Sequence, residues 1–274
     1  MSGRMPGRMR DKAGLLLPIF LITLAEAFLF TSQTESSLAL HALNIFLCIL
    51  LPIWAERRMR LFQAFALISL LRVLNIGMPI FFTLTLYWLP FIYAPIILAG
   101  YIVWRQTVVD AKKLHWRNML RFLNGQGLRL KVLWRWEYLL FAIIFGFLVS
   151  NLEYLVLSNE ALVPDLGPID LTMLLLVMVM FVGLGEELVF RALLQSAVSP
   201  EFGRVAAVVI SALLFAIMHS GYQSLPYMGF VFAIGIVLGY AYESTGSLGL
   251  VTLMHGLLNF FLYSFVPFGY NLLP

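Results

Sequence analysis

The feature that most constrains this chain is a succession of long apolar stretches with very few charges, at 14–31, 38–55, 61–80, 84–104, 138–157, 170–198, 204–220, 225–243 and 247–266. A helix needs about 20 apolar residues to cross the hydrocarbon core of a bilayer, so these stretches predict eight or nine transmembrane helices. Lipid offers no partners to backbone N–H and C=O groups, so a spanning segment must be a helix or part of a closed barrel. The alternating apolar and polar period of barrel strands is missing. The expected fold is therefore all-α, a polytopic transmembrane helix bundle, with the third and fourth spans divided near Pro79. Composition excludes a soluble domain, because only 12% of the 274 residues are charged, where soluble proteins carry about a quarter.

Placing the N-terminus in the cytoplasm puts sixteen of the 18 Lys and Arg residues in cytoplasmic segments, and the other two, Arg72 and Arg191, inside spans. The outer loops then hold no basic residue, as the positive-inside rule demands. The basic balance, with a pI of about 9.3, follows from membrane orientation. No basic solvent-exposed domain is visible, so no nucleic-acid partner is expected. Arg4, Arg8, Arg10 and Lys12 precede the first apolar stretch, which contains Ala25-Glu26-Ala27 in the manner of a cleavage site. The stretch runs on to Phe30 and is read as a signal anchor. Cys48 is the single cysteine, which rules out an internal disulfide.

Three regions follow: an N-terminal four-helix membrane region (1–104), a basic cytoplasmic or interfacial segment (105–137), and a C-terminal membrane core (138–274). In the middle segment Lys113, Arg117 and Arg121 recur every four residues opposite an apolar stripe of Val109, Trp116, Leu120 and Leu123. That pattern fits either a helix lying among lipid headgroups or a solvated basic linker. Trp54, Trp104, Trp134 and Trp136 fall at cytoplasmic span ends, where indole rings anchor helices. His41 and His115 lie near span ends or in the cytoplasmic segment.

Ionisable groups within hydrocarbon are costly and usually functional, and here they concentrate in the C-terminal core. The densest group is Glu186-Glu187-Leu188-Val189-Phe190-Arg191. On a helix Glu187 and Arg191 share a face and can form a structural pair, while Glu186 points about 100° away into the bundle. Phe215-x-x-x-His219 follows on the next span and His255-x-x-x-Asn259 on the last. At about 1.5 Å per residue from the cytoplasmic span ends, Glu186, His219 and His255 lie roughly 21, 24 and 12 Å deep, compatible with one site in tilted helices. A carboxylate, two imidazoles and an amide converging from three helices suit hydrolysis of an amide bond. Either His219 and His255 help to hold a divalent metal such as zinc, whose water Glu186 deprotonates, or Glu186 and His219 activate water directly while His255 and Asn259 donate to the oxyanion. The residues leave both routes open. A further alternative makes them polar groups that hydrogen-bond across helix interfaces.

Taken together, the three motifs resemble the CPBP family of intramembrane proteases, which includes the type II CAAX prenyl endopeptidases, over roughly residues 170–266. The resemblance implies Glu186 as catalytic base, with His219, His255 and Asn259 completing the site and Glu187, Arg191, Phe190 and Phe215 supporting it. Ala192 stands where the family commonly has Gly after the arginine, a difference of helix packing. Gly183-x-Gly185-Glu186 lacks the aspartate of presenilin-like proteases, no H-E-x-x-H is present, and Gly246-Ser247-Leu248-Gly249 reads as a turn. Gly235-x-x-x-Gly239 reads as a close helix crossing. The resemblance implies an endopeptidase of a prokaryotic cytoplasmic membrane, whose partners are the bilayer and a membrane-anchored protein or peptide cut near its membrane end. A non-catalytic relative serving bacteriocin immunity or scaffolding is the alternative.

Overall fold

The computed structural model describes residues 7–53, 59–81, 86–108 and 136–272. Among them the secondary structure is helical throughout. The helices are α1 (Gly7–Phe30), α2 (Thr34–Leu50), α3 (Met59–Phe81), α4 (Leu89–Val108), α5 (Trp136–Val156), α6 (Pro168–Phe202), α7 (Arg204–Ile217), α8 (Leu225–Thr245) and α9 (Leu248–Leu262). All but α1 and α9 form helical stretches long and apolar enough to cross a membrane; Leu16–Phe30 and Leu248–Leu262 are shorter apolar helices. The chain is thus an all-α, multi-pass integral membrane protein. The third helix continues past Pro79 to Phe81, so the division from the fourth falls later than expected. The segment carrying Lys113, Arg117, Arg121 and His115, together with Trp54 and Trp134, lies outside the described residues.

The polarity is that of a protein dissolved in lipid. Phe20, Phe46, Phe91, Phe141, Ile144, Leu148 and Met180 point outward, while Glu26, His41, Arg72, Glu153, Glu187, Arg191 and His255 are buried. Apolar groups lose nothing by facing acyl chains, whereas charges must find partners inside. Two residues near span ends are themselves buried. Trp104, near the end of α4, packs into the core and against Tyr101, and His41 is fully buried in α2.

The central element is α9, apolar almost all round and buried from Leu248 to Leu262 except for isolated positions, as expected of a helix with neighbours on every side. It packs against α5 and α6, while α7 pairs with α8 and α1, α2 and α3 pack in succession. Glycines set the closest approaches. A Cβ on Gly146 of α5 would lie 2.9 Å from the backbone of Leu257, and one on Gly256 of α9 would lie 2.6 Å from Cα of Val179 in α6. Gly235 and Gly239 of α8 face Ala212 and Val208 of α7 in the same manner, the close crossing their spacing predicts. Gly246, at φ +62°, closes α8 in a left-handed turn, and Ser247 caps α9 by accepting from the Leu250 N–H.

Candidate active site

The glutamate pair sits on a short α-helical stretch, Leu184–Glu187, between two π-helical stretches, Met178–Gly183 and Leu188–Gln195. Such wide turns shift side chains relative to a regular helix and occur mostly at functional sites. Gly183 and Gly256 bring the backbones of α6 and α9 together here: a Cβ on Gly183 would meet the Thr252 carbonyl oxygen at 2.9 Å. At this contact the His255 ring fits between the two carboxylates. Its Nδ1 is 2.8 Å from Oε1 of Glu187, and its Nε2 is 3.8 Å from Oε2 of Glu186.

The adjacent acids therefore occupy different surroundings. Glu187 is fully buried and faces Arg191 one turn on, with Nε of the arginine 3.2 Å from Oε2. The Arg191 guanidinium also lies 4.8 Å above the Phe215 ring, so charge and ring quadrupole together offset its burial. Phe215 meets Phe190, His219 and His255 edge to face, joining the supporting aromatics to both imidazoles. Glu186 keeps part of its carboxylate open and accepts a hydrogen bond from Tyr93 of α4 at 2.5 Å. Gly185 makes that bond sterically feasible, since a Cβ there would stand 2.6 Å from the Tyr93 ring.

His219 lies just beyond the end of α7, and its Nδ1 is 2.8 Å from the Phe215 carbonyl oxygen. A carbonyl only accepts, so Nδ1 carries the proton, leaving Nε2 as the free nitrogen of the neutral ring. The ring packs between Tyr222 and Tyr227.

Glu186, His219, His255 and Asn259 all line one cavity of about 490 Å³, within the range of small-molecule and substrate sites. The other walls bring residues that the sequence motifs do not assign to the site: Arg72, Asn75 and Tyr93 from α3 and α4, Glu153 from α5, and Tyr222 and Tyr227 around the α7–α8 connection. Tyr227 donates to Glu153 at 2.8 Å. Charges inside apolar stretches marked Arg72 and Glu153 in the sequence, whereas nothing marked Tyr93. Among the described residues no three His, Cys, Asp or Glu side chains are grouped as metal ligands. A metal on His219 and His255 would take its remaining ligands from Asn259, water or substrate.

Residues 168–261 match the model of a family described as type II CAAX prenyl endopeptidase Rce1-like. No curated protein and no solved structure matches the chain.

Proposed function

We propose that the chain is an intramembrane endopeptidase of the CPBP type, a reading supported by the match of residues 168–261 to the type II CAAX prenyl endopeptidase Rce1-like model. It hydrolyses a peptide bond near the membrane end of a membrane-anchored protein or peptide, with Glu186 as the base that activates water. The observation that carries this reading is the cavity-facing carboxylate of Glu186 beside the imidazole of His255, on a cavity that His219 and Asn259 also line.

In this reading water lies between Glu186 and Nε2 of His219. Tyr93 holds Oε1 of the carboxylate, so Oε2 takes the proton as the water oxygen attacks the scissile carbonyl carbon. Carrying a proton on each nitrogen, His255 donates Nδ1–H to Glu187 and turns Nε2–H toward the reacting centre. There it and the Asn259 amide stabilise the oxyanion of the tetrahedral intermediate. As that intermediate collapses, the carbon–nitrogen bond breaks and Glu186 returns its proton to the leaving nitrogen, giving a carboxylic acid and an amine, which exchange the remaining proton to become carboxylate and ammonium. The route needs no metal, and prolonged treatment with chelators is expected to leave turnover unchanged.

A quenched fluorescent peptide bearing a farnesylated CAAX sequence, reconstituted with the protein in liposomes, tests the reading. A transmembrane peptide without the lipid serves as second probe. Glu186→Gln, His219→Ala and His255→Ala are each expected to lower cleavage by about 10²–10⁴-fold, the range for loss of a positioned acid or base. Wild-type processing in all three variants sinks the enzyme reading and favours a binding role for the same helices.

A further inference from the structure

His219 occupies an insecure place in the backbone. The regular helix α7 ends at Ile217, and the chain leaves it through Met218 and His219 into a short 3₁₀ turn at Ser220–Tyr222, followed by Gln223 at φ +53°. Helical hydrogen bonds alone therefore fix this residue less firmly than they fix Glu186 or His255. The neighbours of His219 are instead tied to the N-terminal helices. The Met218 carbonyl accepts from Nη2 of Arg72 on α3. The Ser220 hydroxyl donates to Oε2 of Glu26 on α1 at 2.5 Å. Beyond them, Gln223 donates to the Ser32 hydroxyl at the end of α1 at 2.5 Å.

Glu26 and Arg72 are themselves a closed unit. Arg72 donates to Oε1 of Glu26 through Nε at 2.7 Å and to Oε2 through Nη2 at 2.8 Å. His41 adds Nε2–H to Oε1 at 3.1 Å. Each carboxylate oxygen thus takes two donors, filling its accepting capacity. The support extends another layer: Asn44 donates to the Ser69 hydroxyl at 2.8 Å, and that hydroxyl lies 3.1 Å from Nδ1 of His41. Asn44 as donor to Ser69, Ser69 as donor to His41 and His41 as donor to Glu26 form one consistent chain. A buried carboxylate fixed from four directions is a rigid anchor, because any displacement leaves a charge unpaired in a water-poor interior.

We propose that the buried Glu26–Arg72 pair, on helices outside the matched region 168–261, is a positioning clamp for His219, gripping the backbone before it and the side chain after it. The functional weight of the clamp rests on the endopeptidase reading, whereas its structural action on the ring does not. Arg72→Ala would strand Glu26 and endanger folding, so Ser220→Ala is the sharper variant: it cuts the side-chain link from turn to clamp while the ion pair and the Arg72 bond to the Met218 carbonyl stay whole. The full-length protein in lipid nanodiscs, labelled with ¹⁵N-histidine, gives a readout independent of cleavage, and its four histidines make assignment by single replacement practical.

Ser220→Ala is expected to shift or broaden the ring signals of His219 while those of His255 stay in place, with Arg72→Lys acting in the same direction. On the farnesylated peptide, kcat of Ser220→Ala should fall about tenfold with KM within about twofold, the pattern of an interaction realised in the transition state. His219 signals identical to wild type in both Ser220→Ala and Arg72→Lys overturn the clamp whatever happens to cleavage. Full cleavage by Glu186→Gln would instead overturn the enzyme reading, leaving the histidine signals to judge the clamp alone.

Discussion

Glu186 and Glu187 are neighbours in sequence with opposite surroundings, and the proposed division of labour between them follows from that difference. Glu187 holds two cationic or proton-bearing groups, Arg191 and His255, in a place without exposure. Replacing it with Gln leaves the Arg191 charge uncompensated, and removing one partner of a buried pair costs about 3–5 kcal/mol. Thermal unfolding in detergent should therefore show a large fall in midpoint for Glu187→Gln and little change for Glu186→Gln. Tyr93→Phe removes the donor to Glu186 together with the contact of its hydroxyl to Asn75; kcat should drop about tenfold with KM held, as befits one lost hydrogen bond to a charged group. The glutamates, both active-region histidines and Asn259 could be picked out from sequence because polar groups stand out against an apolar run. Tyr93 could not, since a tyrosine in a membrane helix is unremarkable until its hydroxyl is seen to reach a carboxylate. Glu26, His41 and Arg72 were visible as residues, but their partnership joins separate helices and no local spacing encodes it.

At the scale of helices, the site depends on how closely α6 and α9 can approach. Gly183 and Gly256 remove the two side chains that would hold them apart, which lets His255 enter between the glutamates. Gly256→Ala would push a methyl group into the Val179 backbone; overpacking of this kind costs about 1–3 kcal/mol and separates the helices that carry the site. Gly229 in α8 has open space around it and serves as the control. The expectation is reduced thermal stability and cleavage for Gly256→Ala and wild-type values for Gly229→Ala. The helices themselves were legible in the sequence, because a span leaves an unmistakable apolar run of fixed length. The π-helical stretches around Leu184–Glu187 were not, since no local pattern marks them; Met178–Gly183 packs against α9 and α4, and Leu188–Gln195 against α3 and α7, contacts that only the assembled bundle supplies.

Across the whole molecule, charges collect in two buried centres, one in the N-terminal helices around Glu26 and one in the C-terminal core around Glu187, and the turn bearing His219 lies between them. The distribution of Lys and Arg further predicts a cytoplasmic N-terminus. With Cys48→Ser as a cysteine-free background, a cysteine at Asn124 should react with an impermeant maleimide from the cytoplasmic face and one at Ser158 from the outer face; the reverse pattern would invert the topology. The central claim is narrower: Glu186 and His219 act on one water molecule. The most direct measurement is a double-mutant cycle on kcat in liposomes, using Glu186→Gln, His219→Gln and the pair. If both residues serve the same water, each single change lowers kcat by about 10²–10⁴-fold and the double variant is scarcely worse than the poorer single. Effects that multiply, or single variants that turn over at the wild-type rate, would contradict a shared site.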